Sequence, residues 1–127
     1  IKNKYNFNFI DFGWVNKKKL KEIFSLSDLM ICTSKIESFC QTAAEAQSCS
    51  VPVISYKTSG LNDVIKNNYS GILIEDYNDQ KFIEKIISLI KNKNKRLKFS
   101  KNSRKHIKKN FDKKIISKKY LNAYNQL

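Results

Sequence analysis

Two hydrophobic rhythms alternate along the chain. Leu29-Met-Ile-Cys32, opened by Asp28, is a continuous apolar run that predicts a fully buried strand. Pro52 to Tyr56 predicts a second strand, its proline tolerated at the first position, and Ile72-Leu-Ile74 a brief third. Tyr5 to Phe12 alternates polar and apolar residues up to Gly13, which predicts a further strand closed by a tight turn.

Between the runs, apolar residues return every three or four positions. Leu20, Ile23, Phe24 and Leu26 predict a short amphipathic helix over 17–26 with Asn16 as N-cap. Helices are likewise expected over 41–48 and 61–65, and from Asn78 or Asp79 to about Lys91 on the stripe Phe82, Ile83, Ile86, Ile87, Ile90. Over 95–110 the apolar residues Leu97, Phe99 and Ile107 are sparse, so that helix should be largely exposed. The last helix, 113–125, carries Ile115, Ile116, Tyr120, Leu121 and Tyr124 on a face that needs a cover. This βαβαβ rhythm predicts an α/β fold, a Rossmann-like parallel sheet with helices on both faces.

Composition narrows the partners. An apolar content of 41% suits one globular domain, and no apolar run approaches the roughly 18–20 residues of a membrane span. The N-terminus lacks the apolar block of a signal peptide, so a cytoplasmic location is expected. The net charge of +14 is unevenly spread: residues 91–119 hold 14 Lys and Arg against the acid Asp112, whereas residues 1–90 hold 11 against 10 acids. The basicity therefore belongs to the tail. Lys outnumbers Arg by 23 to 2, and aromatic residues are scarce among the lysines, which argues against nucleic acid and for solvated faces. An anionic membrane surface at the inner leaflet is the other partner such a tail fits. Cys32, Cys40 and Cys49 lie 8 and 9 positions apart, neither a disulfide framework nor a zinc spacing, and are expected to be structural thiols. His106, among lysines, is not expected to catalyse or bind metal.

The densest chemistry lies between the first two predicted strands. The peptide N–H groups of Phe39, Cys40, Gln41 and Thr42 stand at a helix start, where the macrodipole favours an anion such as a diphosphate. Glu45, about 6 Å farther along at about 1.5 Å per residue, shares a face with Gln41 and suits the two hydrogen bonds of a vicinal diol. Glu37, before the helix, suits hydroxyls on the far side of the anion. Taken alone, two glutamates eight apart also arise by chance, and acids near helix starts are common for dipole reasons.

The surrounding residues are more specific. Glu37-Ser-Phe-Cys-Gln-Thr-Ala-Ala-Glu45-Ala, followed by Ser48-Cys-Ser-Val-Pro-Val53, resembles the E-S-F-G-x-x-x-x-E-A and A-C-G-x-P-V signature of retaining family 4 glycosyltransferases. Phe9 to Val15, Ser27 to Ser34, Ser59-Gly60 and Gly71 to Glu75 extend the resemblance over about residues 7–91. It implies a GT-B fold and a nucleotide-sugar donor, with Glu45 on the ribose and the backbone of Ser38, Phe39, Cys40, Gln41 and Thr42 around the diphosphate. Glu37 would meet the donor sugar as the catalytic-site carboxylate, and Gly13, Trp14 and Val15 would lie beside the base. No metal or other cofactor is implied, because helix N–H groups and basic residues neutralise the departing diphosphate.

The resemblance departs at two glycines, replaced by Cys40 and Ser50. If position 40 needs positive φ, strain follows; if glycine served close approach, the added Cβ narrows the pocket. The resemblance also starts at the third strand of the family's C-terminal domain. Residues 1–91 are thus expected to form part of a nucleotide-sugar-binding domain, and the Lys-rich helices of 92–127 to complete it and pack toward an N-terminal domain. The N-terminal domain would bring the glycan or lipid-linked acceptor. These 127 residues are expected to be a fragment that does not transfer sugar by itself. A degenerate, non-catalytic donor-binding remnant is the competing reading.

Overall fold

The computed structural model describes residues 8–126. Three strands, β1 (Met30–Cys32), β2 (Val53–Tyr56) and β3 (Gly71–Ile74), form a parallel sheet in the order β1-β2-β3. Met30 pairs with Val53, and Val53 with Gly71. Helices α1 (Lys17–Ser25), α2 (Gln41–Ser48), α3 (Ser59–Val64), α4 (Asp79–Lys91), α5 (Lys93–Phe111) and α6 (Lys113–Tyr124) surround it.

Period-two alternation divides the core. Cys32, Val53 and Leu73 join a cluster with Phe24 of α1, Ala43 and Ala46 of α2, Leu61 and Val64 of α3, and Ile107 of α5. Ile54, Tyr56, Ile72 and Ile74 join a second cluster with Phe82 and Leu89 of α4 and Phe99 of α5. Helix α5 thus serves both clusters through a buried stripe at 99, 103 and 107. Its middle member is Ser103, whose hydroxyl lies 2.7 Å from the Ser70 carbonyl and 2.8 Å from that of Phe99. Leu97 is not on this stripe and stays exposed.

Two expectations about strands fail. The strand over 5–12 falls in part on residues 1–7, outside the described residues, and residues 8–12 are exposed and hold no β-strand. Alternation favours a strand only where a neighbouring ladder takes up the backbone N–H and C=O groups. Strand β1 is also not fully buried. Ile31 shares a face with its register partner Ile54 yet is 49% exposed, because α4 packs over β2 and β3.

Local chemistry sets the helix ends. Asn16, Asn78, Asn92 and Asp112 each accept a backbone N–H in the first turn of the helix they precede. Helix α2 closes in a Schellman motif: Val51 N–H donates to the Ala46 carbonyl and Ser50 N–H to that of Gln47, with Ser50 at φ 66°. Both arginines serve helix C-termini, Arg96 donating to the Leu89 and Ile90 carbonyls of α4 and Arg104 to the Ser48 carbonyl of α2. Lysines dominate the rest of α5 and stay in water. Helix α6 has no buried residue, and Tyr120, Leu121 and Tyr124 remain exposed. No helix among the described residues is long and apolar enough to cross a membrane.

Two stability effects follow from this packing. Left-handed backbone costs a Cβ-bearing residue about 1–2 kcal/mol, so Ser50→Gly should raise unfolding stability by about 1 kcal/mol, read by urea titration. Burial lowers the His106 pKa below 6.5, against the opposing pull of Asp63 and Val64 backbone groups. Because the folded value is depressed, the unfolded chain takes up the proton first as pH falls. Stability should therefore drop as pH falls below about 6.5, and His106→Gln should flatten that slope in melting curves taken across pH.

Candidate functional site

The strand carboxyl ends carry three loops, and hydrogen bonds lock them together. The Glu37 carbonyl accepts from Gly60 N–H at 3.0 Å and from the Ser59 hydroxyl at 3.1 Å. The Tyr77 hydroxyl donates to the Lys35 carbonyl at 3.0 Å, and Lys57 pairs with Glu75 at 2.7 Å. That exposed pair raises the Lys57 pKa and lowers that of Glu75. Tyr77 is itself set by ring contacts on Tyr56, whose hydroxyl bonds Asp79. Open parallel sheets bind ligands at this edge.

Gly60 shows why the first two loops meet so closely. A Cβ built there would stand 2.3 Å from the Ser38 carbonyl carbon and 2.4 Å from the Phe39 nitrogen. The loop over 37–39 therefore rests directly on the backbone of α3.

From that support the chain turns into α2 through Cys40, the N-cap, at φ 61° and ψ 71°. The conditional expectation at this position resolves toward positive φ, and the second replaced glycine, Ser50, is left-handed as well. Cys40 supplies no side-chain cap, and the first turn of α2 holds no acid. The peptide N–H groups of Gln41 and Thr42, both exposed, thus have no partner among the described residues, the arrangement that receives an anion. Phe39 packs edge-on against Phe111 of α5, 5.4 Å between centroids, and Ser38 is exposed.

Glu45 lies where the spacing puts it, one turn along the same face: Gln41 Nε2 donates to its Oε1 at 3.0 Å. It lines a cavity of about 440 Å³ between α1, α2 and α5, whose basic members are Lys17, Lys21, Arg104 and Lys108. Four cations against the two carboxylates Glu45 and Asp112 give this cavity a positive field. Gly13, Trp14 and Val15 form no comparable constellation. Gly13 takes φ 55° with its N–H on Asp11 Oδ1, Val15 is half-buried, and Trp14 is 92% exposed.

Eight-residue spacing concealed one juxtaposition. Cys32, at the end of β1, and Cys40 place their sulfurs 4.0 Å apart, and a Glu37 carboxylate oxygen lies within 4.8 Å of both. Burial pushes the Cys40 thiol up to about 11, and the neighbouring Ala43 N–H acts the other way. The signal in sequence is that positions 32, 37 and 40 span a strand end and the next helix cap, which a parallel α/β turn folds together.

A parallel sheet whose carboxyl edge holds an open helix start and a carboxylate one turn inside it defines a Rossmann-like class of domain. Within that class the chain belongs to the glycosyl transferases group 1 family, whose model matches residues 2–106. An uncharacterized glycosyltransferase of Methanocaldococcus jannaschii is 31% identical over 98 residues, 75% of this chain and 28% of that protein. Among solved structures, S. aureus TarM in a complex containing UDP is 26% identical, with a TM-score of 0.78 over 86% of this chain and 22% of that one. Anabaena HepE in complex with UDP-glucose is 22% identical, with a TM-score of 0.75 over 85% of this chain and 30% of that one. The fold is therefore that of part of the GT-B glycosyltransferases. The chain spans 22–32% of the length of the first curated relatives it matches.

The Gly60 contact is open to a direct check. Gly60→Ala should destabilise the protein by about 2 kcal/mol, within the 1–3 kcal/mol typical of overpacking, because both partners in the clash are backbone. Amide exchange should accelerate at residues 37–41 before the rest of the sheet responds; equal acceleration throughout would mean the contact does not anchor this loop.

Proposed function

We propose that this chain is the donor-binding part of a nucleotide-sugar-dependent glycosyltransferase that transfers a hexose, with retention, to a polysaccharide or lipid-linked acceptor. One observation carries the reading: the unpartnered start of α2 stands between Glu37 and Glu45 at the strand carboxyl edge. Family membership supports it, as do the UDP and UDP-glucose named for TarM and HepE.

In this reading the N–H groups of Gln41 and Thr42, with the backbone of Ser38, Phe39 and Cys40, hold the diphosphate. Glu45 accepts two hydrogen bonds from the ribose diol, and its contact with Gln41 orients it before donor arrives. Glu37 faces the donor sugar's hydroxyls, where a carboxylate also stabilises positive charge developing at the anomeric carbon. Helix N–H groups take up charge on the departing diphosphate, so this step calls for no metal. Trp14 and its neighbours Gly13 and Val15 form the flank for the base. The acceptor is brought by an N-terminal domain, toward which the exposed Tyr120, Leu121 and Tyr124 face of α6 packs, and the enzyme works in the cytoplasm or at the inner face of the membrane.

A second reading, a degenerate donor-binding remnant, is favoured by the left-handed backbone at both Cys40 and Ser50. Titration of the full-length protein with UDP separates the two. Binding that weakens about 10- to 100-fold in Glu45→Ala, the loss of one or two charge-assisted hydrogen bonds, supports a live site. A parent protein that binds no UDP supports the remnant.

A further inference from the structure

Cys32, Glu37 and Cys40 bring three ligand atoms within 4.8 Å of one another. Of the three side chains, the donor reading uses only that of Glu37. We infer that this triangle is a binding site for a thiophilic divalent cation of the zinc type, held by two thiolates and one carboxylate oxygen, with its fourth position left for water or an anion.

The sulfur spacing is the first argument. Tetrahedral coordination with metal–sulfur bonds of about 2.3 Å sets two thiolates about 3.8 Å apart, and here they stand 4.0 Å apart before any metal enters. A disulfide needs about 2.05 Å, roughly 2 Å less than the separation of these sulfurs. The triangle is already close to the size of a metal site.

Burial is the second argument. Cys32 and Cys40 are only 8% and 9% exposed, so few waters compete for the ion. Both sulfurs ride on regular structure, one ending β1 and one capping α2, and the carbonyl of Glu37 is fixed by Ser59 and Gly60. Ser55 stands opposite Cys32 in the parallel register, and its fully buried hydroxyl has no partner among the described residues. On a strand about 4.8 Å away, it would reach a Cys32 thiolate by rotating its side chain, giving the kind of supporting hydrogen bond that metal ligands use.

Binding is a simple exchange. Two S–H groups release their protons to solvent as two metal–thiolate bonds form, and no oxidant or reductant takes part. For the donor, whose binding here rests on the reading above, occupation draws Glu37 away from the sugar and makes the ion a competitor. The site itself does not depend on that reading.

Cobalt(II) is the probe. The full-length protein is freed of metal with a chelator, kept reduced with a phosphine and titrated with cobalt while near-ultraviolet thiolate-to-cobalt absorption is followed. The band should saturate at one ion per chain in the parent and in Cys49→Ser, and vanish in Cys40→Gly and Cys32→Ser. Cys40→Gly also relieves the left-handed backbone, so its loss of signal with undiminished thermal stability reports a lost ligand and not a lost fold. Glu37→Gln should weaken binding at least about 10-fold, the lower bound for removing even a supporting partner of a metal ligand. Absence of the band in the parent, its survival in Cys40→Gly, or unchanged affinity in Glu37→Gln overturns the proposal. UDP titration of the metal-free protein tests the donor reading separately, and its failure leaves the cobalt result standing.

Discussion

Backbone contact between Gly60 and the loop over 37–39 is the constraint on which the carboxyl edge of the sheet depends. A hydrogen bond from Gly60 N–H holds the Glu37 carbonyl, and the space for a side chain is taken by Ser38 and Phe39. With that loop fixed, the chain enters α2 through left-handed Cys40. Helix start and thiol pair both inherit their positions from it.

The two left-handed substitutions show how the fold tolerates departures from glycine. Cys40 is buried within the cluster on the α2 side of the sheet, so apolar contact offsets part of its backbone strain. Ser50 is only half-buried and is held by the paired hydrogen bonds of a Schellman motif. The same geometry that strains Cys40 delivers its sulfur to Cys32. The replacement of glycine by cysteine thereby sets a second thiol beside the first.

Charge divides along the chain in step with structure. The sheet and its loops are nearly neutral, while α5 and α6 carry the excess. Of the 25 basic residues, the two arginines close helix C-termini through carbonyl hydrogen bonds, a task their planar fork suits. Two lysines of α1 and Arg104 and Lys108 of α5 surround the cavity at Glu45. Basicity in the tail thus reaches the candidate site through a single helix, while most lysines remain solvated.

Much of the architecture was legible in the residues themselves. Helix α2 and the Asn16 and Asn78 helix starts follow from periodicity and capping, because each is decided within a few residues of sequence. The Gln41–Glu45 contact follows from helical spacing for the same reason. What failed required distant partners. Residues 8–12 alternate like a strand but form none, since a ladder needs a neighbour, and Ile31 looks like core but is left uncovered by α4. The role of Ser103 in the α5 stripe was hidden because a polar residue fills the core position, satisfied by a carbonyl 33 positions away. Tertiary structure alone decided that Gly60 would buttress Glu37, and that two cysteines and a glutamate spread over nine positions would meet. Sequence determines such meetings only through the folded path of the chain, in which a strand end and a helix cap become neighbours.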